Sequence, residues 1–258
     1  VQEVAEREWQ KLQGGKTSFH TASKNIEQVE AEAQVENQRQ TGKKPDAPVI
    51  RNTNAVELLE QTSDADLLLT DPPYTPDVDD IGAFARSWLP SALETIGNDG
   101  LGFVFVGAYT DELQTYLTVL DECGVRERAQ VLVWTYKNTL GQTPKHEYKR
   151  NWQAVLFIQS DPPTEIDSPL TSEQWGVQEI TAPDGRHGGR HHKWQKPTEI
   201  VERFIRHTTD EGDVVLDPFV GTGTTALVAS DLNREAVAGD NSSDMLDTAV
   251  ERGCVVDE

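Results

Sequence analysis

From position 49 onward, hydrophobic residues fall into short, nearly unbroken runs separated by stretches with helical spacing. The runs at 49–52, 66–70, 101–107, 129–135, 153–159, 214–217 and 236–240 predict seven strands, because strands covered on both faces read as continuous apolar segments. The stretches 55–61, 82–96, 111–123, 197–208, 224–232 and 243–253 repeat apolar residues at three- and four-residue steps and predict helices. Strands alternating with helices imply an α/β fold, a mostly parallel sheet with helices on both faces.

Two segments break this rhythm. Residues 1–46 carry Val1, Val4, Ala5 and Leu12, then Ile26, Val29 and Ala33, at helical spacing amid Glu, Gln and Lys. They predict two thin amphipathic helices, 1–12 and 23–39, ended by the break at Gly42-Lys43-Lys44-Pro45-Asp46. Packing on the main body, a partner and an upstream domain all remain open for this extension, and a homodimer remains open for the chain; Val1 stands where a start methionine would. The domain proper is expected over 47–258. Within it, 160–195 is rich in proline and glycine, shows little periodicity and reads as an inserted loop region.

Composition narrows the class. No apolar stretch of the 258 residues approaches a membrane span, and no basic-then-apolar leader opens the chain. Cys123 and Cys254 form neither a metal-ligand spacing nor a disulfide framework. A reducing cytoplasm is the expected location. The net charge is −21, which at ordinary salt repels phosphates but keeps a surface soluble in a very salty cytoplasm. Charge is unevenly spread, however. Lys137, Lys145, Lys149 and Arg150 cluster in one window, and Arg186, Arg190, Lys193 and Lys196 in another, interleaved with His187, His191 and His192. These two windows hold 8 of the 23 basic residues and one of the 44 acids. Basic islands in an acidic chain point to a specific anionic contact; the plainer reading is two solvated loops. The histidines read as polar surface, and no metal site is expected.

Chemistry concentrates at two strand ends. The run 67–70 stops at Asp71-Pro72-Pro73-Tyr74, where ligands bind in open α/β sheets. The prolines fix the backbone, so the Asp71 carboxylate and the Pro72 carbonyl form a rigid pair of acceptors beside a flat ring, suited to a planar group bearing an amine. The strand 214–217 runs into Asp217-Pro218-Phe219-Val220-Gly221-Thr222-Gly223-Thr224-Thr225 and then a helix. Glycines there admit a ligand to the backbone, and Asp240 closes the next strand where a ribose diol could be held. Gly221, Gly223 and Ala226 also satisfy the loose dinucleotide fingerprint. No lysine follows Gly223, which excludes a Walker loop. Only one helix follows Asp240, so the strands completing the sheet must precede the glycine loop in sequence.

In this order, the motifs resemble the permuted, β-class DNA amino-methyltransferases over about residues 48–256. The resemblance implies a Rossmann-like methyltransferase sheet with circularly permuted motifs, S-adenosylmethionine as cofactor, and DNA with a flipped target base as partner. It assigns Asp71, Pro72, Pro73 and Tyr74 to catalysis. It gives cofactor roles to Asp217, Pro218, Phe219, Gly221, Thr222, Gly223, Thr224, Thr225 and Asp240, to Lys196 and Pro197 at the methionine end, and to Asn54 near the adenine. The family's target-recognition region falls on 160–195, making Arg186, Arg190 and Lys193, with Lys137, Lys145, Lys149 and Arg150, the expected DNA contacts. An aspartate-first tetrapeptide is mostly the adenine-N6 form, with cytosine N4 the alternative. An RNA methyltransferase, a non-catalytic DNA-binding subunit and a nicotinamide dehydrogenase complete the competing readings. Trp134, Trp152 and Trp194 read as core or cleft wall.

Overall fold

The computed structural model describes residues 2–19, 21–23, 25, 26, 29, 46–138, 143–168, 171–183, 191, 192 and 194–257. A helix, α1 (Gln2–Gln13), precedes the α/β body. The body then runs β1 (Val49–Asn52), α2 (Ala55–Glu60), β2 (Leu67–Thr70), α3 (Ile81–Ile96), β3 (Leu101–Val106), α4 (Thr110–Glu122), β4 (Ala129–Thr135) and β5 (Trp152–Ile158). It continues with β6 (Val177–Glu179), α5 (Thr198–Thr208), β7 (Val214–Asp217), α6 (Thr224–Asp231), β8 (Glu235–Asp240), α7 (Ser243–Arg252) and β9 (Val255–Asp257). All seven predicted strands and all six predicted helices of the body are present.

The strands form one sheet in the order β6-β4-β5-β3-β2-β7-β8-β1-β9. Only β5 runs antiparallel, between β3 and β4. Two strands exceed the seven predicted, and both are three-residue additions at the sheet's outer edges. β6 pairs in parallel with β4 inside the segment read as a plain insert, and β9 pairs with β1. At each of them one face is left to solvent, so neither carries the unbroken apolar run that marks the inner strands.

Alternation along the central strands explains how both faces fill. Leu68, Val104 and Val106 pack with Trp88, Leu89 and Ala92 of α3 and Tyr116 and Leu120 of α4. Leu67, Leu69, Phe103 and Phe105 point the other way, onto Ile200, Phe204 and Ile205 of α5. There Phe103 and Phe204 stack with centroids 4.1 Å apart. A third, smaller cluster joins Ile50, Ala226, Leu246 and Ala249. Among the described residues, these clusters draw nothing from α1. The predicted helix 23–39 lies largely outside the described residues, as do Arg186, His187, Arg190 and Lys193.

The permuted order has one decisive result. β2 pairs in parallel with β7, Leu67 opposite Val215 and Leu68 opposite Leu216. The carboxyl ends of these two strands therefore emerge side by side, although they are far apart in sequence.

Candidate active site

The junction of β2 and β7 is closed by a buried hydrogen bond. Thr70, the last residue of β2, donates its hydroxyl to Asp217 Oδ1 at 2.7 Å. The same oxygen accepts the Phe219 amide at 3.1 Å. Burial pushes the Asp217 carboxyl up to about 7, against the pull of hydrogen bonds from Thr70, Thr225 and the Phe219 amide.

Above this junction opens a cleft of about 510 Å³, within the size range of small-molecule sites. Asp71, Pro72, Pro73 and Tyr74 line one wall. Asp217, Phe219, Gly221, Thr222, Thr224, Thr225 and Asp240 line the other, and Lys196 lies between them. Of the residues assigned to the cofactor, Pro197, Pro218, Gly223 and Asn54 do not line it. Pro197 is the N-cap of α5. Asn54 caps α2, accepting the Glu57 amide at 3.0 Å, which is the ordinary task of asparagine at that position.

The glycine loop is shaped from behind. Gly223, at φ +81°, begins α6, and a Cβ there would stand 2.7 Å from Cys254 Sγ. Its glycine is required by backbone hand and by packing alike. Gly221, at φ +51°, has only Phe219 O, at 3.9 Å, near its missing Cβ, so its backbone faces open cleft. From the end of α7, Arg252 Nη1 reaches Thr222 O at 2.5 Å and the Thr222 and Thr224 hydroxyls at 2.9 Å each. No sequence signal marked Arg252, because its partners lie 28–30 residues away. Asp240 accepts the Gly221 and Ser242 amides, one on each oxygen, both at 2.9 Å. Burial raises the carboxyl's pKa, against backbone hydrogen bonds from Ser242, Gly221 and Asn241. Phe219 is fixed by Phe84 and Trp88, centroids 5.6 and 5.0 Å away.

The opposite wall is braced just as closely. Glu112 of α4 is fully buried and accepts the Gly107 amide at 2.6 Å and both the amide and hydroxyl of Thr75 at 2.7 Å. It ties the turn after Tyr74 to the end of β3. In sequence it read as an unremarked acid in a helix's first turn. Tyr74 donates to Asp71 Oδ1 and accepts from Gln153 at 3.2 Å. Burial first, then the Asp71 charge, pushes the Tyr74 phenol well above its usual range, keeping it a donor.

The basic window 137–150 leaves the carboxyl end of β4, on the same side of the sheet as the ends of β2 and β7, because β5 runs opposite to both β3 and β4 and β3 runs parallel to β2. Lys137, Lys145 and Arg150 are exposed and Lys149 is half-buried. Arg150 lies 3.0 Å from Glu147 and 4.7 Å above the Tyr109 ring. His192 and Trp194, both in the cleft wall, come from the second window. Among the described residues, no group of three or more His, Cys, Asp or Glu side chains is set to hold a metal ion. No described helix is long and apolar enough to cross a membrane.

Two strand ends, one carrying a rigid acceptor pair and the other a glycine loop, share a single hollow. A family model described as DNA methylase, of the N6/N4 type, matches residues 65–251, which take in both. The chain belongs to the N6/N4 DNA methylase family. This DNA methylase uses S-adenosylmethionine, and the open Gly221 backbone, the Asp240 carboxyl and the Phe219 ring, all lining the cleft, fit that cofactor. It is 26% identical over 230 residues to "Type II methyltransferase M.HpaI" of Haemophilus parainfluenzae, covering 78% of this chain and 72% of that protein. Its fold matches the cytosine-N4-specific PvuII DNA methyltransferase with a TM-score of 0.68 at 22% identity, covering 82% of this chain and 89% of the other. It also matches the M1.HpyAVI–SAM complex at 0.61 and 19% identity, covering 79% and 99%.

Proposed function

We propose that this DNA methylase transfers a methyl group to the exocyclic N6 amine of an adenine flipped out of duplex DNA. The observation that carries the reading is the position of Asp71, at the lip of β2 on the wall facing the glycine loop of β7. An aryl amine is a poor nucleophile because its lone pair is delocalised into the ring. If the Asp71 carboxylate and the Pro72 carbonyl accept its two hydrogens, the nitrogen pyramidalises and its lone pair turns out of the ring plane. S-adenosylmethionine supplies the electrophilic methyl on its sulfonium. Positioning and charge placement then account for the rate. As the nitrogen takes the methyl, the methyl's bonding pair to sulfur would stay behind on a neutral thioether; the nitrogen becomes cationic and gives one proton to the acceptor already holding it, Asp71. Tyr74 offers its ring to the base, and stacking with the two hydrogen bonds offsets the few kcal/mol of unstacking.

The aspartate-first tetrapeptide supports adenine over cytosine. Lys137, Lys145, Lys149 and Arg150, leaving the catalytic edge of the sheet, support a contact with the phosphate backbone. Arg186, Arg190 and Lys193 belong to the same role by charge, and 160–195 to target recognition by its place between the motifs. Residues 1–46 are read as an extension that precedes the catalytic body in sequence. Tritiated methyl transfer to duplex DNA at high salt, followed by nucleoside analysis, tests the reading. N6-methyladenine is the expected product. N4-methylcytosine would move the assignment to the other base, and label only in structured RNA would remove it.

A further inference from the structure

The resemblance gives Lys196 to the methionine end of the cofactor. The structure places Lys196 in the cleft wall and pairs its ammonium with the catalytic tetrapeptide. Its side chain is 7% exposed and forms an ion pair with Asp71 Oδ2. A second bond runs to the Tyr74 hydroxyl at 2.9 Å. Three rings surround the same ammonium: Phe105 at 5.1 Å, Tyr74 at 5.4 Å and Trp134 at 5.9 Å. An ammonium is strongly hydrated, and removing it from water is costly unless charge and ring faces replace the water. Here both do. The cage is also rigid: Trp134 Nε1 is anchored on Ile180 O at 2.8 Å, and Phe105 is buried edge-on to Trp134 at 6.3 Å.

We propose that Lys196 is a positioning residue for the catalytic carboxylate: caged by Tyr74, Phe105 and Trp134, its ammonium fixes Asp71 so that the free lone pairs of the carboxylate face the target amine. The inference rests on the reading of Asp71 as the amine's acceptor. The geometry balances. Tyr74 occupies one site on Oδ1 and Lys196 one site on Oδ2. A carboxylate has about four such sites, so one remains on each oxygen. The Asp71 side chain is 25% exposed, on a residue that lines the cleft. Asp71 and Tyr74 take two of the ammonium's three donors, so its main partners are the catalytic tetrapeptide. Burial pulls the Lys196 pKa down, and the Asp71 charge and hydrogen bond, with Asp217, oppose that pull.

The test compares the parent chain with Lys196→Met, whose thioether is suited to the ring cage, after thermal unfolding shows that both fold. Turnover at saturating DNA and cofactor should fall on the order of 10²-fold, as misplacement of a reacting group does. S-adenosylmethionine affinity, read by calorimetry without DNA, should stay within about threefold, under 1 kcal/mol. Retained turnover with affinity weakened beyond about tenfold would make Lys196 a cofactor ligand and overturn the proposal. A second arm needs no DNA. In nitrogen-15 lysine spectra, Asp71→Asn should lower the Lys196 titration midpoint, since of the groups facing it only Asp217 and the neutral Tyr74 remain. An unchanged midpoint would overturn the proposal whatever the activity. A parent chain that binds cofactor, shows that shift and methylates no DNA would instead sink the methyltransferase reading, reducing the pair to a structural ion pair.

Discussion

Asp217 offers a quantitative test, because it is buried at the seam of the two site-bearing strands without a cation in hydrogen-bond contact. Its carboxyl is pushed from the ordinary aspartate value of 3.8 to about 7. The native state therefore holds a proton that the unfolded chain has released between those values. Stability falls as pH rises through that window and levels off above it. About three pH units at about 1.4 kcal/mol each puts the full penalty on the order of 4 kcal/mol. Asp217→Asn removes the titration and keeps an oxygen for the Thr70 hydroxyl and the Phe219 amide. The variant's advantage in unfolding free energy over the parent should be small at pH 4, grow up to pH 7 and then hold steady. Urea unfolding at pH 4, 5.5, 7 and 8.5 measures it. An advantage independent of pH, or one that shrinks as pH rises, would refute the reasoning. The same proton links to function: a cationic ligand favours the ionised form, so cofactor affinity should rise with pH up to about 7.

Asp71→Asn should abolish methyl transfer while calorimetry still detects cofactor; the asparagine is preferable to alanine, because its amide oxygen can still accept from the buried Lys196 ammonium. Arg252→Ala removes the donor from Thr222 O and should weaken cofactor affinity about tenfold, following the loss of a charged hydrogen bond of about 1.5–3 kcal/mol; unchanged affinity would mean the loop holds its own shape. Gly223→Ala combines a left-handed backbone with a Cβ 2.7 Å from Cys254 Sγ and should lower the melting temperature more than Gly221→Ala, whose Cβ meets open space. Changing Lys145 and Arg150 to Ala should weaken DNA binding and flatten its salt dependence with cofactor affinity unmoved. Methylation should be fastest at high salt, and an optimum at low salt would contradict the reading of the −21 charge as adaptation to a salty interior.

The elements of the body were legible because the central strands β2, β3, β5 and β7 are buried on both faces, leaving nearly unbroken apolar runs, and the longer helices α3, α4 and α5 bury residues at helical spacing. β6 and β9 were not legible. Three residues at a sheet edge bury too little to leave a pattern, as the single buried residue of β6, Gln178, illustrates. Asp71 and the glycine loop were readable from local chemistry at strand ends. Glu112, Arg252 and the caged state of Lys196 were not, because each depends on partners brought in by the sheet. Lys196 meets Asp71 across 125 positions. Asn54 shows the reverse case: asparagine three residues before Glu57 is a helix-start signature, and its local task accounts for it.

The seam between β2 and β7 also orders events during synthesis. A nascent chain completes the Leu67–Thr70 strand and its tetrapeptide long before Val214–Asp217 leaves the ribosome. Until then one edge of a strand built on three leucines lacks its partner, the kind of surface that invites aggregation. Closing that gap links residues 147 apart, a slow, non-local step. This DNA methylase therefore acquires its hollow only when the C-terminal third of the chain docks, and premature termination beyond the tetrapeptide yields a sticky half-sheet rather than a weak enzyme.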